Sequence, residues 1–300
     1  MTEFVVDTVL AVDIGGTKLA AAVVSPEGRV LHRLQVPTPR EGVWTALAGV
    51  CEDVLDGATA DRVGVGCGGP MLWPGGVVQP LNIPEWREGF GLRDALADRF
   101  GPTRVHNDAV CVAVAEHWVG AGRGVSHLLG IVVSTGVGGG LVMGGRLVDG
   151  ATGNAGHVGH VVVEPDGPEC ACGGRGCLEA IASGPAIARW AGASSGAEAA
   201  EAAARGDAAA VAAFQRAGHA LGCAVASVAA VCDLELALVA GSVSRAGELL
   251  FAPARAALAV HARLGFLSGF RLEPAGLGTD AGLVGAAALW LAGERYWSAD

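Results

Sequence analysis

The sequence predicts an α/β protein made of two related halves. Three observations carry this prediction. Apolar runs of strand length alternate with longer stretches of helical spacing. One strand–turn–strand unit occurs twice, about 120 residues apart, and an internal duplication of this kind suggests two lobes with a cleft between them. The 300 residues are 51% hydrophobic and 17% charged, enough for one or two domains with a sizeable core.

The elements follow in order. "TVLAVDIGGTKLAAAVVSPEGRVLHRLQV" reads as strand, Gly turn, strand, Glu-Gly turn, strand. Residues 42–58 space Trp44, Leu47, Val50 and Leu55 as one face of a helix. "NDAVCVAVAEHWVGAGRG" starts a helix at an N-cap, Asn107 or Asp108, and ends it in glycines. "HLLGIVVSTGVGGGLVMGGRLVDG" repeats the opening pattern. The Ala/Gly/Ser stretch Ala191–Gly206 reads as a mobile segment. Asp207 caps a long Ala-rich helix to about Val231, "LELALVAGSVS" returns to a strand, and a last helix covers about Ala281–Ala292.

Bulk properties exclude some functions. A net charge of −10 and no basic run argue against a nucleic-acid surface, which needs clustered Lys and Arg. The start "MTEFVVDTVLAVDIGG" holds Glu3, Asp7 and Asp13 and no basic residue, so no secretory signal is predicted. The Ala-rich run between Arg216 and Asp233 is shorter than the roughly 20 residues of a membrane span and contains His219. A cytoplasmic protein with reduced thiols is expected.

"ECACGGRGCLE" places Cys170, Cys172 and Cys177 within eight residues. Cysteines this close make strained disulfides. Zinc wants four soft or borderline ligands, and His157 and His160 stand shortly upstream, so the spacing favours a zinc site over reduced loop thiols. Cys51, Cys67, Cys111, Cys223 and Cys232 read as small buried hydrophobes, Cys67 least clearly. The histidines at 32, 106, 117, 127, 219 and 261 read as ordinary, although His106 adjoins Asn107.

Two glycine turns point to phosphate, because backbone N–H groups there meet no side-chain obstruction. "DIGGTK" offers Gly15 and Gly16, the Thr17 hydroxyl, the Lys18 cation and Asp13, a carboxylate able to hold Mg²⁺ directly or through water. "STGVGGG" offers Thr135, Gly136 and Gly138. Neither is a Walker A loop, and a strand pattern follows the second where a dinucleotide fingerprint needs a helix. Either turn alone also reads as an ordinary hairpin. Asp108 is a candidate proton acceptor with Asn107 beside it as a neutral hydroxyl binder; the same pair reads as a helix cap, and the two roles are compatible.

The passage "GATGNAGHVGHVVVEPDGPECACGGRGCLEAIAS" (Gly150–Ser183), together with "DIGGTK", "HNDAV" and "STGVGGG" in the same order, resembles the ROK family (repressors, open reading frames and kinases), and most closely its bacterial glucokinase-like sugar kinases. The resemblance covers essentially the whole chain. It implies a two-lobed actin-like ATPase (ribonuclease H-like) fold with duplicated sheet domains and a small zinc-binding loop. The lobes implied are 1–108 plus about 283–300, and 109–282 with the zinc segment 157–177. Zinc is implied at His160, Cys170, Cys172 and Cys177, with ATP and Mg²⁺ as cofactors.

The implied activity is an ATP-dependent hexose 6-kinase, with Asp108 as general base. Gly241 and Ser242 match the region that cradles adenosine in the family, although Ala240 stands where a second Gly is frequent. Gly68, in the loop Gly66–Pro70, and Asn82 match regions lining the sugar pocket. Glu179 matches an acceptor of sugar hydroxyls, and His160 can ligate zinc through one ring nitrogen and donate to sugar through the other. One position departs: many family kinases carry Glu-x-Gly-His where this chain has His157-Val-Gly-His160. A neutral imidazole offers one donor and one acceptor where a carboxylate accepts twice. The change either favours a sugar altered at C1, C2 or C3, such as an amino sugar or a C2 epimer, or is neutral in the same pocket. Hexose and ATP are the implied partners, in a homodimer or homotetramer. Two further readings stand beside the kinase: a sugar-responsive regulator, against which only twelve residues precede Asp13, and a non-catalytic sugar-binding protein.

Overall fold

The computed structural model describes residues 7–299. Strands β1 (Val9–Ile14), β2 (Lys18–Val24), β3 (Val30–Pro37) and β4 (Val63–Cys67) precede a small three-stranded sheet. That sheet holds β5 (Met71–Leu72), β6 (Val77–Val78) and β7 (Phe90–Gly91), and β8 (Thr103–Asn107) follows it. Then come β9 (Leu128–Val133), β10 (Val137–Met143), β11 (Arg146–Leu147), β12 (Leu236–Ala240) and β13 (Arg271–Pro274). The helices are α1 (Val43–Leu55), α2 (Leu92–Phe100), α3 (Asp108–Trp118), α4 (Leu178–Ala182), α5 (Gly184–Ala191), α6 (Gly196–Ala204), α7 (Ala208–Cys232), α8 (Glu248–His261), α9 (Ala281–Leu291) and α10 (Gly293–Tyr296).

The duplication is visible in the strand order. One sheet runs β3-β2-β1-β4-β8 and the other β11-β10-β9-β12-β13. In the first, β1 pairs antiparallel with β2 and parallel with β4, and β4 pairs parallel with β8. In the second, β10 pairs antiparallel with β11, and β12 pairs parallel with β9 and β13. Strands β1, β2 and β4 are apolar throughout except for Asp13 near the end of β1 and Lys18 at the start of β2, as suits strands covered on both faces. By contrast β3 has no buried residue, only exposed and half-buried ones, which suits an edge.

The chain divides into two compact units. Met1–Arg123, Gly140–Ala155 and Leu277–Asp300 form the first; Gly124–Gly139 and Gly156–Gly276 form the second. Boundaries at 108 and about 283 would have put α3, residues 140–155 and the start of α9 in the second unit. Packing draws them into the first. Helix α9 is apolar all round and its residues Ala281–Leu289 are buried. Gly285 lets it approach the backbone of Cys111 in α3 more closely than any side chain would permit. Gly140 likewise leaves 3.0 Å between its missing Cβ and both Val110 and Ala113 of α3.

Helix ends follow the local chemistry. The Asp207 side chain caps α7 by accepting from Ala210 N. Part of the 191–206 stretch forms α6, because Ser195 accepts from Glu198 N and starts a helix rich in Ala. Cys51, Cys67 and Cys111 are buried, as expected, whereas Cys223 and Cys232 are only half-buried. Among the described residues no helix is long and apolar enough to cross a membrane.

Candidate functional site

In the first unit, three parallel strands end side by side. Register aligns Asp13 with Gly66, and Gly66 with His106; Cys67 aligns with Asn107. The carboxyl edge of this sheet therefore presents Asp13, the loop from Gly66, and Asn107–Asp108 together, where open α/β sheets bind ligands. Gly68 N donates to Ile14 O at 3.2 Å, and a Cβ on Gly68 would lie 4.0 Å from Asp108 Oδ2. The turn Gly15–Thr17 closes when Gly15 N donates to Lys18 O at 3.0 Å. Lys18 Nζ pairs with Asp13 Oδ2 at 3.1 Å. Gly16 has no room for a side chain, since a Cβ would stand 2.6 Å from that of Asn82. This contact brings Asn82 to the first glycine turn. The first turn of α9 also reaches the site: a Cβ on Gly282 would lie 3.0 Å from the Asp13 carboxyl carbon.

Of the two candidate caps, Asn107 does the capping. Asn107 is the N-cap, its Oδ1 accepting from Ala109 N at 2.9 Å and Val110 N at 3.4 Å. Its amide NH₂ is what it can still offer a hydroxyl. Asp108 Oδ1 accepts from Ala109 N at 2.8 Å. The residue keeps some surface open to solvent, yet protein atoms crowd its carboxyl. Burial first, and the negative charge of Asp13 second, push it up from the ordinary 3.8 to about 6, against the pull of backbone N–H groups and Lys18. A carboxylate held there is a base near neutral pH.

In the second unit, the other glycine turn follows β9. Ser134 N donates to Gly136 O at 2.8 Å, so Ser134–Gly136 make the turn and Gly138 lies inside β10. Ser134 Oγ meets Ser242 Oγ at 3.1 Å, which joins this turn to the loop after β12. Gly241 sits there at φ 98°, a left-handed conformation that a side chain would strain. Thr135 and Ser242 are exposed. Glu179 of α4 accepts from Val137 N at 2.8 Å and lies against Gly136.

The cysteine segment folds as a ligand cluster in the same unit. One donor atom each from His160, Cys170, Cys172 and Cys177 lies within 4.8 Å of every other. Cys172 Sγ and Cys177 Sγ are 3.8 Å apart, and Cys170 Sγ and His160 Nδ1 are 3.8 Å apart. A tetrahedron with metal–sulfur bonds of about 2.3 Å has edges of roughly 3.8 Å, so the donors fit one ion. The Gly174 N–H holds the Cys172 thiol below its ordinary range, whereas burial pushes the Cys170 thiol up and that of Cys177 up to about 12, so three thiolates here need a cation among them. With Nδ1 turned to sulfur, His160 keeps Nε2 for another partner. Its ring stacks on His157 at 6.1 Å. His157 Nε2 is buried and has no hydrogen-bond partner. Burial, then the neighbouring His160, lower its pKa, so it is a neutral imidazole near pH 7.

Sequence reasoning missed three features of these clusters: the reach of α9 to Asp13, the Glu179–Val137 bond, and the crowding of Gly16 against Asn82. Each joins residues far apart in sequence. Only Glu179 had a signal, its place two residues after Cys177.

Comparison with known proteins agrees with the expected family. The chain is 36% identical to a glucokinase from Thermotoga maritima, over 93% of this chain and 96% of the relative. It is 39% identical to an N-acetylmannosamine kinase from Citrobacter koseri, over 93% and 97%. Its fold matches the crystal structure of a ROK family glucokinase from Streptomyces griseus in complex with glucose and AMPPNP, with TM-score 0.84 and 35% identity over 94% of this chain and 98% of that one. A ROK hexokinase structure from Thermus thermophilus matches at TM-score 0.78 and 36% identity, over 93% and 96%. The ROK family profile matches residues 9–293, and the chain belongs to the ROK family.

Proposed function

We propose that this sugar kinase moves the γ-phosphoryl group of ATP to the C6 hydroxyl of glucose or a related hexose, with Asp108 as general base. The carrying observation is the Asp108 carboxyl: held up to about 6, beside Gly68, with a hydrogen bond to its own helix on Oδ1 and Oδ2 left for a substrate. Phosphoryl transfer asks the protein mainly for position and charge neutralisation. The C6 oxygen forms a bond to the γ-phosphorus as the bond to the ADP oxygen breaks. The hydroxyl proton passes to Asp108.

Lys18 and the amide of Gly16 bind phosphate oxygens, and so do Thr17, Thr135 and Gly136, while Gly15, whose amide donates to Lys18 O, closes the first turn and Gly138 lies in the strand after the second. Gly241 and Ser242 take the adenosine end. Asp13 would hold Mg²⁺, which supplies neutralisation of phosphate charge. His160, Cys170, Cys172 and Cys177 would hold Zn²⁺, which fixes the loop that carries His160 and leads into Glu179. Asn82, Asn107, His157, His160 and Glu179 bind sugar hydroxyls.

The relatives named for glucose and for N-acetylmannosamine bracket the substrate class. His157 favours a hexose that presents either a donor or an acceptor to a neutral imidazole, because its buried Nε2 has no protein partner. The work belongs in the cytoplasm, where the free thiols stay reduced and able to bind metal. A homodimer or homotetramer is the expected assembly. ADP release measured against glucose, mannose, N-acetylated and amino hexoses tests the reading. Turnover with at least one hexose is expected. Release with none would leave a sugar-binding protein without catalysis.

A further inference from the structure

Helices α7 and α8 touch at their backbones. Gly218 leaves 3.1 Å between its missing Cβ and the Cβ of Pro253, and Gly222 leaves 2.7 Å to the Cβ of Ala257. Contacts climb both helices in the same direction, so the two run parallel. This close seam assembles three metal-type donors at its edge. His219 and Cys223 are one turn apart on α7 and share a face. His261 is the last residue of α8.

One donor atom from each lies within 4.8 Å of the other two. Cys223 Sγ is 3.5 Å from His219 Nε2. A tetrahedral ion bound by sulfur at about 2.3 Å and imidazole at about 2.0 Å sets its S and N ligands roughly 3.5 Å apart. The His219 and His261 rings stand 5.9 Å apart at 74°, so they do not stack. Both histidines are exposed and Cys223 is half-buried, which gives an ion an entry path and leaves a position for water. Glu164 adds negative charge near His219, while both of its oxygens are engaged by Arg216, at 3.0 and 2.5 Å. None of these residues belongs to the His160 cluster.

We propose that His219, Cys223 and His261 form a second zinc site, a clip that ties the end of α8 to the middle of α7. Two borderline imidazoles and one thiolate select Zn²⁺ over hard cations such as Mg²⁺ and Ca²⁺. The site is independent of the kinase reading and of the loop site.

The test titrates the full chain, its loop metal in place, with Zn²⁺ and with Co²⁺ as a spectroscopic probe. Two equivalents of zinc per chain are expected, and the second should raise the melting temperature. Cobalt at the second site should show a thiolate charge-transfer band. His261→Ala and His219→Gln should each weaken the second equivalent by more than about 10-fold while the first stays bound. Cys223→Ser should abolish the cobalt band. Cys172→Ser should lose loop metal and keep that band. A wild-type protein that stops at one equivalent overturns the proposal. So does a second equivalent that survives both histidine variants with unchanged affinity, or a cobalt band that persists in Cys223→Ser.

Discussion

The two glycine turns occupy equivalent places in the two sheets, each between the central strand and its antiparallel neighbour. Their chemistry differs. The first stands between Asp13 and Lys18, a carboxylate and an ammonium 3.1 Å apart. The second, Ser134–Gly136, carries hydroxyls and backbone amides with no charge of its own, and Glu179 from α4 holds the next amide. Duplication repeated a backbone device that aims N–H groups, and the side chains around it diverged. One unit then has a charged pair and the crowded Asp108 carboxyl beside its turn; the other has neutral donors and a cluster of one imidazole and three thiols.

The widest gap between the units should appear at the base. Asp108→Asn should lower kcat by about 10² to 10⁴ while the protein still folds, since Asn107 keeps the helix cap. Near-normal turnover on the best sugar would remove Asp108 from the mechanism. In the wild type, kcat/KM should fall about tenfold per pH unit below roughly 6, as the carboxylate takes up its proton. Stability should move the other way. A carboxyl raised from 3.8 to about 6 binds protons more readily in the folded state, so its cost is full above pH 6 and vanishes below about 4. Asp108→Asn should therefore be more stable than wild type at pH 7, by about 1 to 3 kcal/mol given the partial exposure, with the advantage shrinking as pH falls from 6 to 4. Denaturant titration at pH 4 and 7 measures it.

The second unit should respond through the loop that carries Cys170, Cys172 and Cys177. Cys172→Ser removes one of four candidate ligands and should lower zinc content and sugar affinity together, the latter by about 10- to 100-fold. The link is structural: Cys177 is a ligand candidate and the N-cap position of α4, and Glu179 is in the first turn of that helix. Full sugar binding by verified zinc-free protein would separate the loop from the sugar site.

Much of this was legible from residue patterns. Apolar runs and Gly turns marked the repeated strands because strand period and turn chemistry are local. The ligand cluster was legible because three of its four members fall within eight residues. What was hidden depended on long-range packing or on choices between equal local options. Asn107 and Asp108 are both good caps, and only geometry shows that Asn107 does the capping. Gly138 reads as turn but continues β10, because the turn already closes at Gly136. The approach of Gly282 to Asp13 joins opposite ends of the chain. His219 and Cys223 share a visible helical face, but their third partner lies on another helix.

The smallest predicted effect, at Thr135 of the second turn, is read against Lys18 of the first. Lys18→Met removes a cation from the first turn, and a hydrogen bond to a charged group contributes about 1.5 to 3 kcal/mol. With ATP, kcat/KM should fall by roughly 10- to 150-fold. Thr135→Val removes a neutral hydroxyl from the second turn, whose bond to a charged phosphate lacks the ion-pair attraction and belongs at the low end of that range, so the loss should be about 10-fold or less. Lys18 also pairs with Asp13, so its removal leaves that carboxylate without this ion-pair partner. Part of the Lys18 effect should then be recovered at high Mg²⁺, whereas the Thr135 effect should not change with Mg²⁺ at all. Equal losses with equal Mg²⁺ dependence would mean that the two turns do the same electrostatic work, and that the charge on the first is incidental to phosphate binding.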